Sequence, residues 1–381
     1  MTHPAFSFLT AQEIRFGRGT AGEAAKRLAG MAGRVLLVHG ASGARAAWLR
    51  DALVAEGVSV TSFACASEPD MALIEAGVSA AKEAAVGAVV SLGGGAVIDA
   101  GKAIAALAPA TRPMLDHLEV VGKGMPLEAA PLPFVAMPTT SGTGAEVTKN
   151  AVIGVPEVRR KVSLRDNRML PDLAIVDPAL TDGCPRAITL ASGLDAVTQV
   201  IEPYVSTKAN RLTDALCRDA IPQGLRALRK LMEAEDPTAR DDLSWVSLCG
   251  GLALANSGLG AVHGLAGVIG GMAPAAHGAV CGVLLPHVLS ANTARAHGQS
   301  AERLAEVTAW IGAAFDADMA DAVAVLADWS AQAGLPSLGQ MGVQRADLRA
   351  IAEASGASSS MKGNPVALSA EELTVILQAA F

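Results

Sequence analysis

The order of secondary-structure signals along the chain constrains its fold more than any single composition value. Up to about Pro185, short β-rich runs alternate with Ala-rich amphipathic stretches; beyond it the β signals stop. The runs lie at 34–38, 58–63, 88–92, 134–137 and 173–176, with helix-like stretches at 43–56, 70–86 and 96–107. Such alternation predicts a parallel sheet with helices on both faces, and near-continuous apolar strands fit burial on both sides. Ala/Leu-rich segments follow at 187–204, 210–233, 241–257, 259–271, 278–294, 299–314 and 317–333, which predicts an all-helical second half. The expected organisation is an α/β dinucleotide-binding domain over 1–184 and a helical metal and substrate domain over 185–381.

Composition removes several function classes. With 30 basic and 37 acidic residues the net charge is −7, the wrong sign for a phosphate-backbone binder. Aromatics at 3% leave too few stacking platforms for single-stranded nucleic acid, so no nucleic-acid partner is expected. The five cysteines (Cys65, Cys184, Cys217, Cys249, Cys281) are odd in number and widely spaced, which fits reduced thiols in a cytoplasm. The opening residues 1–6 lack a basic region followed by an apolar run, so no signal peptide is expected. Between Asp242 and Arg295 there is no Asp, Glu, Lys or Arg, yet glycines and two prolines interrupt the stretch. It reads as interior helices with a turn near Ala273-Pro274, not as a membrane span.

Two loops carry chemistry. Ser91-Leu92-Gly93-Gly94-Gly95, running into Ala96 to Lys102, reads as strand, glycine turn and helix. Unpaired N–H groups at such a helix start suit a pyrophosphate; a tight βα turn without ligand is the plainer alternative. Met137-Pro138-Thr139-Thr140-Ser141-Gly142-Thr143-Gly144-Ala145-Glu146-Val147-Thr148 closes another strand with hydroxyls and glycines. It offers donors to phosphate and ribose, and Thr143 with Glu146 has capping-box spacing. Farther on, Asp195 opens Asp195-Ala196-Val197-Thr198-Gln199, while His263 and His277 sit beside glycines in the charge-free stretch. A carboxylate with two imidazoles suits Fe²⁺ or Zn²⁺; two satisfied core histidines are the alternative.

Taken in order, these motifs together with Asp177-Pro178, Gly193-Leu194-Asp195-Ala196, Glu202-Pro203-Tyr204-Val205-Ser206, Leu285-Pro286-His287 and Asn364-Pro365 resemble the iron-containing (group III) alcohol dehydrogenase family. The resemblance implies a Rossmann-like sheet domain plus an all-α domain, the dehydroquinate synthase-like fold. It implies NAD or NADP on Gly93, Gly94, Gly95, Thr139, Thr140, Thr143, Thr148 and Lys161, with Asp99 securing the glycine turn. It further implies a metal on Asp195, His263 and His277, a small alcohol or aldehyde as substrate, no membrane partner, and a homodimer built on the strand-like segment before Gly17.

The departures from the family pattern are informative. Gln199 stands where a third histidine is usual, Gly267 replaces a histidine tied to proton transfer, Ala96 replaces a serine, and Cys281 stands where Asn is frequent. Gln199 is then a weak fourth ligand, or a bystander to a three-ligand site as in the related glycerol dehydrogenases, or a substrate contact in a metal-free site. The three-ligand site is favoured. Gly40 falls where NAD-preferring relatives often place Asp, and Ser42 with Arg45 follows, which tilts the choice towards NADP. Two other readings stay open: a metal-independent reductase of an oxo-acid (maleylacetate reductase-like), and a catalytically decayed nucleotide-binding homologue.

Overall fold

A computed structural model describes residues 5–381; residues 1–4, part of the N-terminal stretch in which no signal peptide is expected, lie outside the described residues. Two compact units emerge. One comprises Leu9–Thr140 and Gly144–Asp182; the other comprises Ser141–Thr143 and Gly183–Phe381, with residues 5–8.

The first unit holds β1 (Glu13–Phe16), β2 (Arg34–His39), β3 (Ser59–Ala64), β4 (Ala88–Gly93), β5 (Phe134–Pro138), β6 (Asn150–Val155), β7 (Arg160–Arg165) and β8 (Leu173–Val176). Six of them form one sheet in the order β1-β8-β5-β4-β2-β3, with every pair parallel. Its helices are α1 (Ala24–Met31), α2 (Ala47–Ala55), α3 (Met71–Glu83), α4 (Gly95–Leu107) and the single turn α5 (Met114–His117). Period-two alternation explains the two faces. Val35 and Leu37 of β2 pack in one cluster with Leu49 and Leu53 of α2, while Leu36 and Val38 pack in another with Ile98 and Ile104 of α4. All eight are essentially inaccessible, and each such side chain contributes roughly 1.5–3 kcal/mol on burial. The α/β expectation holds. The antiparallel β6–β7 pair departs from it, because an amphipathic hairpin between two parallel strands breaks the alternation on which the expectation rests.

The second unit is helical: α6 (Arg186–Val205), α7 (Arg211–Glu233), α8 (Pro237–Ser257), α9 (Ala261–Met272), α10 (His277–Arg295), α11 (Gln299–Phe315), α12 (Ala322–Gln332), α13 (Leu348–Ser355) and α14 (Ala370–Ala379). Asn210 starts α7 with a reciprocal capping box to Thr213. The charge-free stretch spans α8 to α10. Gly258, at φ 69°, ends α8, and α9 leaves at 98° to it. The second break, between Met272 and His277, includes the turn expected near Ala273-Pro274. No single helix among the described residues is long and apolar enough to cross a membrane. The short α13 and α14, beyond the periodic segments read from sequence, complete the same core through Leu348, Ile351, Leu373 and Leu377.

Two glycines let α10 pack tightly on α6. A Cβ on Gly278 would stand 2.4 Å from the Ala191 carbonyl oxygen, and one on Gly282 would stand 2.6 Å from Leu194. This close approach brings the first turn of α10 beside Asp195.

Candidate functional site

In the sheet unit the chain goes from β2 outward to β3 and returns to β4 on the other side of β2. Open α/β sheets bind ligands outside the carboxyl ends of strands at such a switch point. Gly40 and Ser42 follow β2 there, while Gly93 ends β4 and Gly94 leads into Gly95, the first residue of α4. Gly94 stands before α4 in an extended conformation, and no side chain caps the helix. Its first N–H groups therefore lack a side-chain partner, the condition that favours an anion. Gly93 is forced by packing: a Cβ there would lie 2.6 Å from Val97.

Thr139 and Thr140 follow the adjacent β5. The Thr139 N–H donates to the Gly93 carbonyl at 3.0 Å, which ties the two loops together. Thr143, which has capping-box spacing to Glu146, is not the N-cap residue. Gly144, in the left-handed region at φ 58°, takes the N-cap of a short 3₁₀ turn at Ala145–Val147 without a side-chain bond, and Thr143 falls with the helical unit. Glu146 is instead buried, and that burial pushes its carboxyl up to about 7.

Thr148 is also inside: its hydroxyl donates to the Ala145 carbonyl and accepts from Lys102 Nζ at 2.9 Å. Lys102, at the end of the glycine motif and given no role by the sequence, is fully buried and also donates to the Ala145 and Asn150 carbonyls at 2.7 and 2.9 Å. Desolvation pulls its ammonium down to about 8, against the pull of Asp99 and Glu146. Asp99 accepts from the Val152 N–H of β6 at 3.0 Å, a bond outside the glycine turn it is expected to secure. Lys161 lies on β7, with Nζ 3.5 Å from Glu68 in the loop after β3. Beyond β2, a Cβ on Gly40 would meet nothing within 4 Å, and Ser42 and Arg45 are exposed.

In the helical unit, ligand atoms of Asp195 on α6, His263 on α9, and His277 and Cys281 on α10 all lie within 4.8 Å of one another. His263 is fixed from behind. Its Nδ1 donates to Glu202 Oε2 at 2.6 Å, and Glu202 Oε1 accepts the Val262 N–H at 2.7 Å. Glu202 sits two turns after Asp195 on the same face of α6, and Gly260 leaves room for it, since a Cβ there would be 2.8 Å from Oε1.

With the Nδ1 proton held by Glu202, Nε2 presents a lone pair. It faces Asp195 Oδ1 at 3.3 Å, yet the two are not aligned for a hydrogen bond, and both are buried without a partner. Two orphaned acceptors in a dry site are costly unless a cation lies between them. Negative groups also converge on the site and draw positive charge to it, a proton on the imidazoles where no metal is bound. For His263, burial opposes charging, but Cys281, Glu202 and Asp195 raise its pKa well above the ordinary value. For His277, the Cys281 sulfur is the largest influence and lifts the ring to about 9. The donor set therefore fits a divalent metal.

Gln199 stays outside the converged set. Its amide nitrogen donates to the Gly142 carbonyl at 3.2 Å, and Cys281, which stands where Asn is frequent in the family, lies in the set instead. The sequence signal for it is the four-residue spacing from His277. Gly267 lies one turn after His263 on α9, where a Cβ would meet nothing within 4 Å.

Residues 11–178 match the family model for iron-containing alcohol dehydrogenase, and residues 189–381 match that for the C-terminal region of the Fe-containing alcohol dehydrogenase family. Alcohol dehydrogenase 4 of Saccharomyces cerevisiae is 35% identical over 317 residues, covering 82% of this chain and 81% of that protein. The 1,3-propanediol dehydrogenase of Klebsiella pneumoniae is 33% identical over 300 residues, covering 77% and 76%. Among solved structures, 1,3-propanediol oxidoreductase superposes with a TM-score of 0.89 at 29% identity, over 99% of this chain and 100% of that one. Fold, ordered motifs and relatives agree: the chain belongs to the iron-containing alcohol dehydrogenase family.

Proposed function

We propose that the protein interconverts a small alcohol and its aldehyde or ketone, with a nicotinamide dinucleotide as hydride partner and a divalent cation, Fe²⁺ or Zn²⁺, held by Asp195, His263 and His277. The observation that carries this is the pair of buried, partnerless atoms Asp195 Oδ1 and His263 Nε2, with His277 converging on them. When bound, the cation supplies Lewis acidity towards the substrate oxygen.

The chain's own groups do the rest. Glu202 keeps the proton on His263 Nδ1, so that Nε2 stays a donor of electrons. The open N-terminus of α4 receives a pyrophosphate, flanked by Thr139 and Thr140. Thr148 and Lys102 brace that loop from inside. Thr143 and Lys161 remain candidates for the nucleotide site, Lys161 as a ribose contact. Gln199 orients the site through the Gly142 backbone, outside the ligand set. With no imidazole at 267, protons leave by water, Gln199 or the cofactor's ribose hydroxyls.

The cofactor is NADP in preference to NAD: Gly40 presents no carboxylate after β2, and Ser42 and Arg45 are open to a 2′-phosphate. A homodimer through the outer strand β1 and a cytoplasmic setting complete the proposal, the latter supported by five unpaired cysteines.

The test is metal analysis of purified protein together with NADPH and NADH oxidation across an aldehyde panel. One divalent ion per chain is expected, with aldehyde-dependent oxidation that chelation abolishes. NADPH should be preferred, and Gly40→Asp should shift the preference towards NADH by about tenfold or more. Turnover that survives exhaustive chelation overturns the metal; no binding of either cofactor overturns the activity.

A further inference from the structure

Three ligands leave open which group completes the set. Gln199, one turn after Asp195, has its amide anchored on the Gly142 carbonyl. Cys281 is different. It sits one turn after His277 on the same face of α10 and is wholly buried, with its sulfur 3.7 Å from His277 Nε2. That sulfur is also within 4.8 Å of the ligand atoms of Asp195 and His263. A structural buried cysteine normally lies among apolar groups and is inert. This one faces a carboxylate and two imidazoles, two of whose atoms, Asp195 Oδ1 and His263 Nε2, have no partner.

Resting on the proposed metal site, we infer that Cys281 is the fourth protein ligand, so that α10 supplies two ligands and α6 and α9 one each, and that the site prefers Zn²⁺ to Fe²⁺. The donor set is then one oxygen, two nitrogens and one thiolate. Four such donors would hold Zn²⁺ with the substrate oxygen entering as a fifth, an expansion open to catalytic zinc, and the soft sulfur favours zinc over Fe²⁺. On ligation the S–H bond breaks, a sulfur–metal bond forms, and the proton passes to solvent. The oxidation state of sulfur is unchanged.

Cobalt(II) reports the ligation directly, because a bound thiolate gives it a charge-transfer band in the near ultraviolet that oxygen and nitrogen donors do not. Metal-free full-length protein is titrated with CoCl₂ alone, then competed with Zn²⁺ and Fe²⁺ under anaerobic conditions. One equivalent binds with the band present in the wild type and in Gln199→Ala. The band is absent in Cys281→Ser and in Cys281→Asn, two replacements of which at least one has to match the wild-type circular dichroism for the comparison to be read. Zinc affinity of the folded variant falls by at least about 100-fold, the upper end of what losing a mere orienting partner costs. One equivalent of cobalt bound without the band overturns the thiolate ligand and leaves the three-ligand site standing. Absence of cobalt binding, or binding indifferent to His263→Ala, overturns both. Fe²⁺ displacing Zn²⁺ overturns the preference.

Discussion

Glu202 contributes no atom to the converged set, yet it decides what His263 offers. Its two oxygens are both occupied, one by the His263 Nδ1–H at 2.6 Å and one by the Val262 N–H at 2.7 Å. This fixes the ring's rotation and its tautomer together. Glu202→Gln keeps the shape but replaces one acceptor with an amide donor, so either His263 or Val262 loses its bond. Metal affinity is expected to fall by roughly 10–100-fold, measured by competition with a chelator of known strength; an unchanged affinity would reduce Glu202 to a packing residue. At this scale the sequence is unevenly legible. Asp195, His263 and His277 are visible because each sits in a motif of small residues that has few other purposes. Cys281 is visible as a departure from the family pattern, four residues after His277, but a thiol is as ordinary in a core as alanine until its neighbours are known. Glu202 shows only as part of a motif, since its partner lies 61 residues away and nothing local announces the pairing.

Elements built from long periodic segments are legible; those defined by an exception are not. The five strand runs of the sheet and helices α6 to α12 follow from period two and period 3.6. The β6–β7 hairpin escapes because β7 carries Arg160, Lys161 and Arg165, which hide its alternation. The loop after β5 escapes because Gly144 takes the cap position and turns Glu146 inward, towards the charge field of Lys102 on α4. That inversion has a measurable consequence. The Glu146 carboxyl is raised from 4.5 to about 7 by burial, so the folded state holds this proton more tightly than the unfolded chain does. Its contribution is full below about pH 4.5 and is lost as pH climbs through 7. Lys102, lowered from 10.5 to about 8 by desolvation, acts on the other side: stability is regained as pH rises from 8 towards 10.5. Urea unfolding at pH 5 and pH 8 should therefore differ between the wild type and Glu146→Gln. The wild type loses more on going to pH 8, by at most about 3 kcal/mol. Equal pH dependence in the two proteins would mean that Glu146 reaches solvent.

For the whole molecule, each unit closes its own core, and each carries a different load. The helical unit's core gathers residues from α6 through α14, with the candidate metal ligands inside it. The sheet unit is sealed by two separate clusters on its two faces, with the glycine turn at its strand ends. Two loads on two cores imply two separable responses to ligand removal. A ligand that binds only the folded state adds RT ln(1 + [L]/Kd), about 2.7 kcal/mol at a hundredfold excess of free metal over Kd. Chelation withdraws that term from the helical unit alone, because every candidate ligand comes from it. On the proposed function, removing dinucleotide withdraws stability from the sheet unit. In thermal melts followed by both calorimetry and tryptophan fluorescence, chelator is thus expected to lower the transition that carries most of the tryptophan signal, since Trp245, Trp310 and Trp329 all lie in the helical unit and only Trp48 lies in the other. NADPH should raise the transition that changes that fluorescence less. Replacing Asp195 by Asn should abolish the response to chelator while the response to NADPH persists. A chelator effect that survives this substitution would place the ion elsewhere in the molecule. A single transition that both ligands move equally would mean that the two cores unfold as one, and that metal binding is felt by the sheet unit through folding itself.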